Sequence, residues 1–314
     1  MHPYRSTLRT DSLLLLTAGI WGFAFVAQRA GMGYVGPFLY NAVRFALGTL
    51  SLLPVIAFRR AAARRSAGNT DGAAILRPAV AVGWMVLAGV VLFAASSLQQ
   101  VGIVTTSAGK AGFITGLYVV LVPLIGGFLG RRSDVGRWVG ALLAAGGLYL
   151  LSVTEKLTVA PGDLLLLLCA VFFTVHVLLI DRISPHLDPI VLSAIQSGVT
   201  AVLSFVVAII FEPVSVAAVA NAWGPIAYGG IMSVGVAYSL QIVAQRTAHP
   251  THAAILLSLE GTFAAIGGFL ILGEMLSTRN IVGCALMLAG MLLAQLSATR
   301  RDRRTVGAQG IRSS

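Results

Sequence analysis

Ionisable side chains inside long apolar runs are the residues of this sequence whose chemistry stands out. Glu260 lies near the middle of the apolar run from Ala253 to Gly273, and Lys110 lies inside a weaker copy of it, Ser107 to Arg131. An ionised carboxylate at mid-bilayer depth costs several kcal/mol, so it must face protein or water and is a functional candidate by default. Arg44 and Lys110 each sit about seven residues from a run end, ~10 Å at the helical rise, which is shallow enough to snorkel. Glu260, about ten residues in, is too deep and too short to do so. Thr105, Thr106, Ser107 and Thr115 around Lys110 favour a wet wall over lipid. Gln99, Gln196, Gln241, His252 and His176 complete the polar set within the runs, and His176, between Phe173 and Leu179, also fits a buried, neutral, hydrogen-bonded histidine. Together these groups permit reversible binding of a charged or hydrogen-bonding solute. Glu260 adds the means to take up a proton in one state and release it in another.

Soluble-enzyme chemistry is excluded on context. Gly31-x-Gly33-x-x-Gly36 matches a dinucleotide fingerprint in letters only, since it joins two apolar runs with no strand before it. Gly109-Lys110-Ala111 lacks the first glycine and the hydroxyl residue of a phosphate loop, and no zinc-protease or nucleophile-elbow motif occurs. His249 and His252 have no further ligands nearby, and Cys169 and Cys284 lie inside apolar runs, so neither a metal, a disulfide framework nor any cofactor is expected.

The elements that must position these groups follow from composition. Of 314 residues, 57% are hydrophobic and 11% charged, with a mean hydropathy of +0.89, far outside soluble composition. Ten apolar segments can be marked, at roughly 11–28, 37–58, 79–99, 103–129, 136–153, 163–181, 189–211, 223–244, 251–273 and 279–298. The fold expected is an all-α integral membrane protein of ten transmembrane helices. The net charge of +11 lies in short connections between runs, without a soluble domain that could present a nucleic-acid face. With a cytoplasmic N-terminus, 17 of the 22 basic residues fall inside and only Arg29, Lys156 and Arg279 outside, which predicts a multi-pass cell-membrane protein with both termini cytoplasmic. The basic linker 59–77 and the tail from Thr299 onward fit topology anchors that can also touch anionic lipid headgroups. Trp84, Trp138 and Trp223 fall near span ends as an aromatic belt requires, and Trp21 does not.

Self-similarity divides the chain. A shift of 152 lays DSLLLLTAGIW (11–21) on DLLLLLCAVFF (163–173) and Pro37 on Pro189. A shift of 142 lays Ser97-Leu98-Gln99 on Ser239-Leu240-Gln241, and a shift of 143 lays Gly130, Gly140 and Gly147 on Gly273, Gly283 and Gly290. Two five-helix repeats result, 1–154 and 155–298, with a basic cytoplasmic tail at 299–314. Five is odd, so the second repeat enters the membrane from the opposite side, and inverted repeats place a site near the midplane at their interface. The shifts pair Arg44 with Gln196, Gln99 with Gln241 and Lys110 with His252; with Glu260 these are expected to face one central, water-accessible space. Gly112-xxx-Gly116 and Gly136-xxx-Gly140 read as close helix contacts.

Trp21-Gly22, Arg44, TSAGKAGFITGLYVVLVPL (106–124) and SLEGTFAAIGGFLILGEMLSTRNIVGCALMLAG (258–290) make the chain resemble the drug/metabolite transporter superfamily, EamA type. The resemblance covers nearly everything except the tail and the 59–77 linker. It implies a ten-helix inverted-repeat fold that moves small metabolites, amino acids or drugs. Where the family often has Glu-Pro, this chain has Glu260-Gly261. The expectation is a secondary transporter, an exporter or exchanger of a small-molecule solute, with proton coupling through Glu260. No ATP-binding motif occurs in the sequence, so a gradient, exchange or downhill flow is the expected energy source. Two other readings compete: an integral membrane enzyme acting on a lipid or prenyl substrate through Glu260, His176 and His252, and an assembly protein indifferent to Glu260 and Lys110.

Overall fold

The computed structural model describes residues 8–65, 78–128, 135–152, 160–183, 186–245 and 256–310, and all regular structure among them is helical. The elements are α1 (Leu8–Gly31), α2 (Pro37–Arg65), α3 (Pro78–Ile103), α4 (Ala108–Gly116), α5 (Tyr118–Phe128), α6 (Val135–Ser152), α7 (Pro161–Ile183), α8 (Pro189–Phe211), α9 (Val216–Asn221), α10 (Trp223–Ala227), a π-helix (Tyr228–Ala237), α11 (Tyr238–Gln245), α12 (Glu260–Leu272) and α13 (Thr278–Gly310). Proline opens α2, α3, α7 and α8, where its fixed φ suits the first turn and its missing N–H leaves no orphan donor.

Five of these helices are long and apolar enough to cross a membrane unaided: Thr10–Gly31, Pro37–Ala61, Ala79–Ile103, Pro161–Ile180 and Pro189–Phe211. Of the other five apolar runs, 136–153 and 279–298 each form one helix and three are broken. The run expected at 103–129 begins later, because α3 continues to Ile103 and Ser107 starts a new helix, its Oγ accepting from Lys110 N at 3.4 Å. It is then split at Leu117, directly after Gly116. The run 223–244 passes through three helical pieces with the π-helix in the middle. In the run 251–273, residues 256–257 are helical, a turn covers 258–259, and α12 starts at Glu260 itself.

Packed helix pairs hold the bundle together: α2 lies antiparallel on α8, α6 on α13, α4 on α12 and α3 on α7, whereas α3 runs parallel to α8, with Gly89 O accepting from Thr200 Oγ1 at 3.1 Å. The contact of α6 with α13 is reciprocal. A Cβ on Gly140 would come 2.6 Å from Gly290 O, one on Gly290 2.5 Å from Gly140 O, one on Gly147 2.5 Å from Gly283 O, and one on Gly283 2.9 Å from Gly147 O. Backbones this close need glycine, and in lipid such packing replaces the hydrophobic drive that water would supply.

The contact of α2 with α8 is tied at its ends. Asp188 caps α8 from its own chain position, its Oδ1 accepting from Ile190 N (2.9 Å) and Val191 N (3.3 Å). At the matching place before α2 stands Gly36, and the carboxylate comes from Glu212 at the end of α8, which accepts from Phe38 N (2.9 Å) and Leu39 N (2.8 Å). A Cβ on Gly36 would sit 2.3 Å from Glu212 Cδ, so the absence of a side chain there is what admits the cap.

Candidate functional site

Glu260 is the first residue of α12 and only 4% exposed. Two glycines set its position. A Cβ on Gly22 of α1 would overlap Phe263 Cβ at 2.3 Å and Glu260 O at 2.7 Å, so the Trp21-Gly22 pair lets α1 press against the first turn of α12. On the other side, a Cβ on Gly116 would meet Met291 Cε at 3.6 Å and Glu260 Oε1 at 4.0 Å, ordinary contact distances. Gly116 therefore leaves room beside the carboxylate without bringing backbones together. Gly261 sits within α12, with Phe113 of α4 about where its Cβ would point, 3.1 Å to the ring. Among the described residues the Glu260 carboxylate has no hydrogen bond and no counter-ion.

Arg44 is 3% exposed. Its Nε donates to Asn41 Oδ1 at 2.9 Å, and Asn41 Nδ2 donates in turn to Ser96 O at 3.0 Å, which fixes the guanidinium against α3. The Arg44 Cζ lies 4.8 Å from the Phe45 ring centre and 5.6 Å from that of Tyr40. No carboxylate among the described residues pairs with it. The π-helix approaches closely here, since a Cβ on Gly230 would stand 2.8 Å from Arg44 O. π-Helical turns are rare and concentrate at functional sites.

Tyr238, the first residue after the π-helix, lies within electrostatic reach of both Arg44 and Glu260. Trp21 packs edge-on to it with ring centres 5.1 Å apart, and Trp21 Nε1 donates to Ser233 O at 3.3 Å. Tyr118, which also interacts with Glu260, lies 6.3 Å from Phe173, and Phe173 and Tyr238 both pack on the cluster of Phe45, Leu92, Ala201 and Val234. An aromatic cluster thus surrounds Arg44, and two of its tyrosines, Tyr118 and Tyr238, lie within electrostatic reach of Glu260.

The remaining expected residues group differently from the repeat pairing. Gln196 bonds His176 (Nε2 to Oε1, 3.0 Å) across α7 and α8, with Phe173 edge-on to the imidazole at 6.5 Å. Gln99 is buried and Gln241 half-buried, and neither bonds the other. His252 lies outside the described residues. Lys110 does not approach Glu260: its Nζ donates to Asp163 Oδ2 at 2.7 Å, and Thr106 Oγ1 donates to Asp163 Oδ1 at 3.1 Å. Asp163, in the first turn of α7, escaped the sequence reading; its visible signal was an acidic residue at the start of an apolar run.

Glu274 lies just beyond the left-handed Gly273 (φ 65°) that ends α12. Its Oε2 accepts from Ala108 N (2.8 Å) at the start of α4, and its Oε1 lies 3.7 Å from Arg29 Nε. Arg29 Nη1 also donates to the carbonyls of Ile103 and Val104 at the end of α3. Burial pushes the Glu274 carboxyl above its ordinary range, opposed by the Ala108 N–H and the Arg29 guanidinium. Glu274 thereby binds α12 to α4 and α1.

Among the described residues no group of three metal-binding side chains occurs. The model of the EamA-like transporter family matches residues 8–153 and again residues 160–296. An uncharacterized transporter of Archaeoglobus fulgidus is 30% identical over 92% of this chain and 86% of its own length. The uncharacterized transporter YoaV of Bacillus subtilis is 22% identical over 90% and 95% respectively. One solved crystal structure superposes with a TM-score of 0.62 over 93% of this chain and 98% of the other at 22% identity, a likeness of fold. The family match to both halves, the transporter-named relatives and the apolar helices agree: this multi-pass membrane protein is a transporter and belongs to the EamA-like transporter family.

Proposed function

We propose that the protein is a secondary transporter of a small solute, an exporter or exchanger working by alternating access in the cell membrane. The observation that carries this reading is the pair of buried ionisable groups, Arg44 and Glu260, which have no counter-ion among the described residues and both lie within electrostatic reach of Tyr238. A charge left unpaired in a bilayer costs several kcal/mol, and a cargo that neutralises it recovers that cost. The ten-span arrangement in two inverted repeats, 1–154 and 155–298, is part of the proposal. It is supported by the exchange of glycines between α6 and α13: Gly140 meets the repeat counterpart of Gly147, and Gly147 meets that of Gly140, as a two-fold relation demands. Arg44, Gln99, His176, Gln196, Gln241, His252 and Glu260 are assigned to the solute and ion pathway, and Lys110 to a lock on one side of it. Glu260 is proposed to exchange a proton between access states. The names of the relatives favour transport over a lipid-acting enzyme.

Comparing metabolites outside cells that overproduce the wild type with those of cells producing Glu260→Gln tests this directly. A solute that accumulates only with the wild type, and whose export follows an imposed pH gradient in proteoliposomes, is the expected result. Identical profiles for wild type, variant and empty cells would overturn it. Orientation is tested separately: Gly307→Cys should resist an impermeant thiol reagent in intact cells, and Leu157→Cys should react.

A further inference from the structure

Three carboxylates tie the two family-matched halves together at one end of the bundle, where α1, α3, α8 and α12 finish and α2, α4 and α7 begin. Asp163, Glu212 and Glu274 lie in the second match, 160–296, and the partners of their side chains lie in the first, 8–153. Asp163 holds Lys110 and Thr106, Glu212 holds the N–H groups of Phe38 and Leu39, and Glu274 holds Ala108 N and Arg29. Among the described residues the opposite end has one ion pair, Arg59 with Asp188, between half-exposed side chains. In the proposed orientation the tied end faces outward.

The three ties differ in what they are fastened to. Asp163 stands in the first turn of α7 and Glu212 closes α8, two helices of 23 residues that cross the bundle. Glu274 rides on α12, which has 13 residues, starts at Glu260 and spans ~20 Å at the helical rise. Its backbone N donates to Gly268 O at 3.0 Å, and a Cβ on Gly268 would stand 2.6 Å from Glu274 Oε2, so the carboxylate folds back over the end of its own helix to reach α4. A turn at 258–259 and the left-handed Gly273 bracket α12. It meets α1 and α4 through small residues: a Cβ on Gly109 would lie 2.9 Å from Ala265 Cα, one on Gly112 2.7 Å from Ala264 Cβ, and one on Gly267 2.8 Å from Val26 Cγ2. Faces without interlocking side chains permit the small slides by which packed helices shift, and a break at each end lets the helix shift as one piece. The Glu274 tie to Arg29, at 3.7 Å, is also the longest of the set.

We infer that Glu274 is the latch of this end: while it caps α4 and pairs with Arg29 the way from that side to Glu260 is shut, and it lets go when α12 moves with Glu260. This rests on the alternating-access reading and assigns the residue that closes one access. Glu274 acts through α12 and not on the solute, so it is a positioning residue. The Lys110–Asp163 pair stays closed throughout, because α7 carries neither break. A contact made in one access state only biases the balance toward that state, so removing it moves population to the other.

Cys169, buried and within electrostatic reach of Glu260, is a native reporter of access. In a Cys284→Ala protein it is the sole thiol, and an impermeant methanethiosulfonate is applied to intact cells and, separately, to inside-out vesicles. Glu274→Gln keeps the shape and loses the charge-assisted bonds, so Cys169 should label about tenfold faster in cells and severalfold slower in inside-out vesicles. Glu274→Asp, which keeps the charge, should fall between, and Arg29→Gln should move both rates the same way by less. A merely structural Glu274 predicts faster labelling from both sides, and that result overturns the inference. Unchanged rates overturn it too, as does a Cys169 that stays unlabelled from either side in Glu274→Gln. If Glu274→Gln fails to assemble, the same two rates in Arg29→Gln decide. Opposed shifts with the sides exchanged keep the latch and reverse the orientation. The metabolite comparison separates the two claims: export by the wild type with unmoved Cys169 rates sinks the latch alone, whereas opposed shifts in a protein that exports nothing sink transport and leave the latch.

Discussion

Two pairs of opposite charges lie deep in this protein and differ in whether they meet. Lys110 and Asp163 meet at 2.7 Å, with Thr106 satisfying the second carboxylate oxygen. Arg44 and Glu260 are buried more thoroughly than Lys110 and do not pair with each other, though both lie within electrostatic reach of Tyr238. A closed pair gains Coulomb energy and sets helix register, so it is a structural lock between α4 and α7. An open pair stores an unmet demand, which the proposed transport function would meet with a solute. Burial alone, or charge alone, does not separate the two roles; the presence of a partner does.

The largest expected effect breaks the lock. Lys110→Met leaves Asp163 buried and unpaired, at a cost of about 3 kcal/mol, whereas Lys110→Met with Asp163→Leu should recover most of it. Thermal unfolding in detergent reads this. If the double variant is no more stable than the single one, the pair is not closed in the way described. Arg44→Gln should show the contrary pattern: solute binding weaker by roughly 100-fold, worth about 2–3 kcal/mol, with little loss of thermal stability. A variant that unfolds instead would move Arg44 into the structural class.

Two glycines sharpen the same contrast at smaller scale. Gly22→Ala places a methyl group 2.3 Å from Phe263 Cβ and should destabilise by about 1–3 kcal/mol. Gly116→Ala fits at 3.6–4.0 Å, so it should preserve stability while lowering solute affinity severalfold, because only the space beside Glu260 is filled. Equal stability losses at both positions would show that Gly116, too, is a packing glycine. The smallest effect belongs to Arg59, whose bond to Asp188 (3.3 Å) joins two half-exposed side chains. Arg59→Ala should change stability by less than about 1 kcal/mol, whereas Asp188→Ala, which also removes the α8 cap, should cost about that much.

The apolar runs, their proline-opened helices and the position of Glu260 inside one of them were legible in the sequence, because length, hydropathy and first-turn preferences act locally. The glycine spacing of 140, 147, 283 and 290 was legible as well, since a repeat is a property of the string. Which groups meet was decided by tertiary structure. Lys110 lies 53 positions from Asp163 and Glu274 lies 166 from Ala108, and no local rule ranks such partners. Repeat shifts paired Arg44 with Gln196 and Lys110 with His252, but Gln196 serves His176 and Lys110 serves Asp163. Equivalent positions share a fold without sharing partners: Gly36 and Asp188 begin matching helices, and one takes its cap from across the bundle while the other supplies its own. The sequence determined where polar groups could not be left to lipid. Packing determined which were answered by protein and which, Arg44 and Glu260, have no opposite charge among the described residues, because pairing depends on helix contacts made only once the chain has folded.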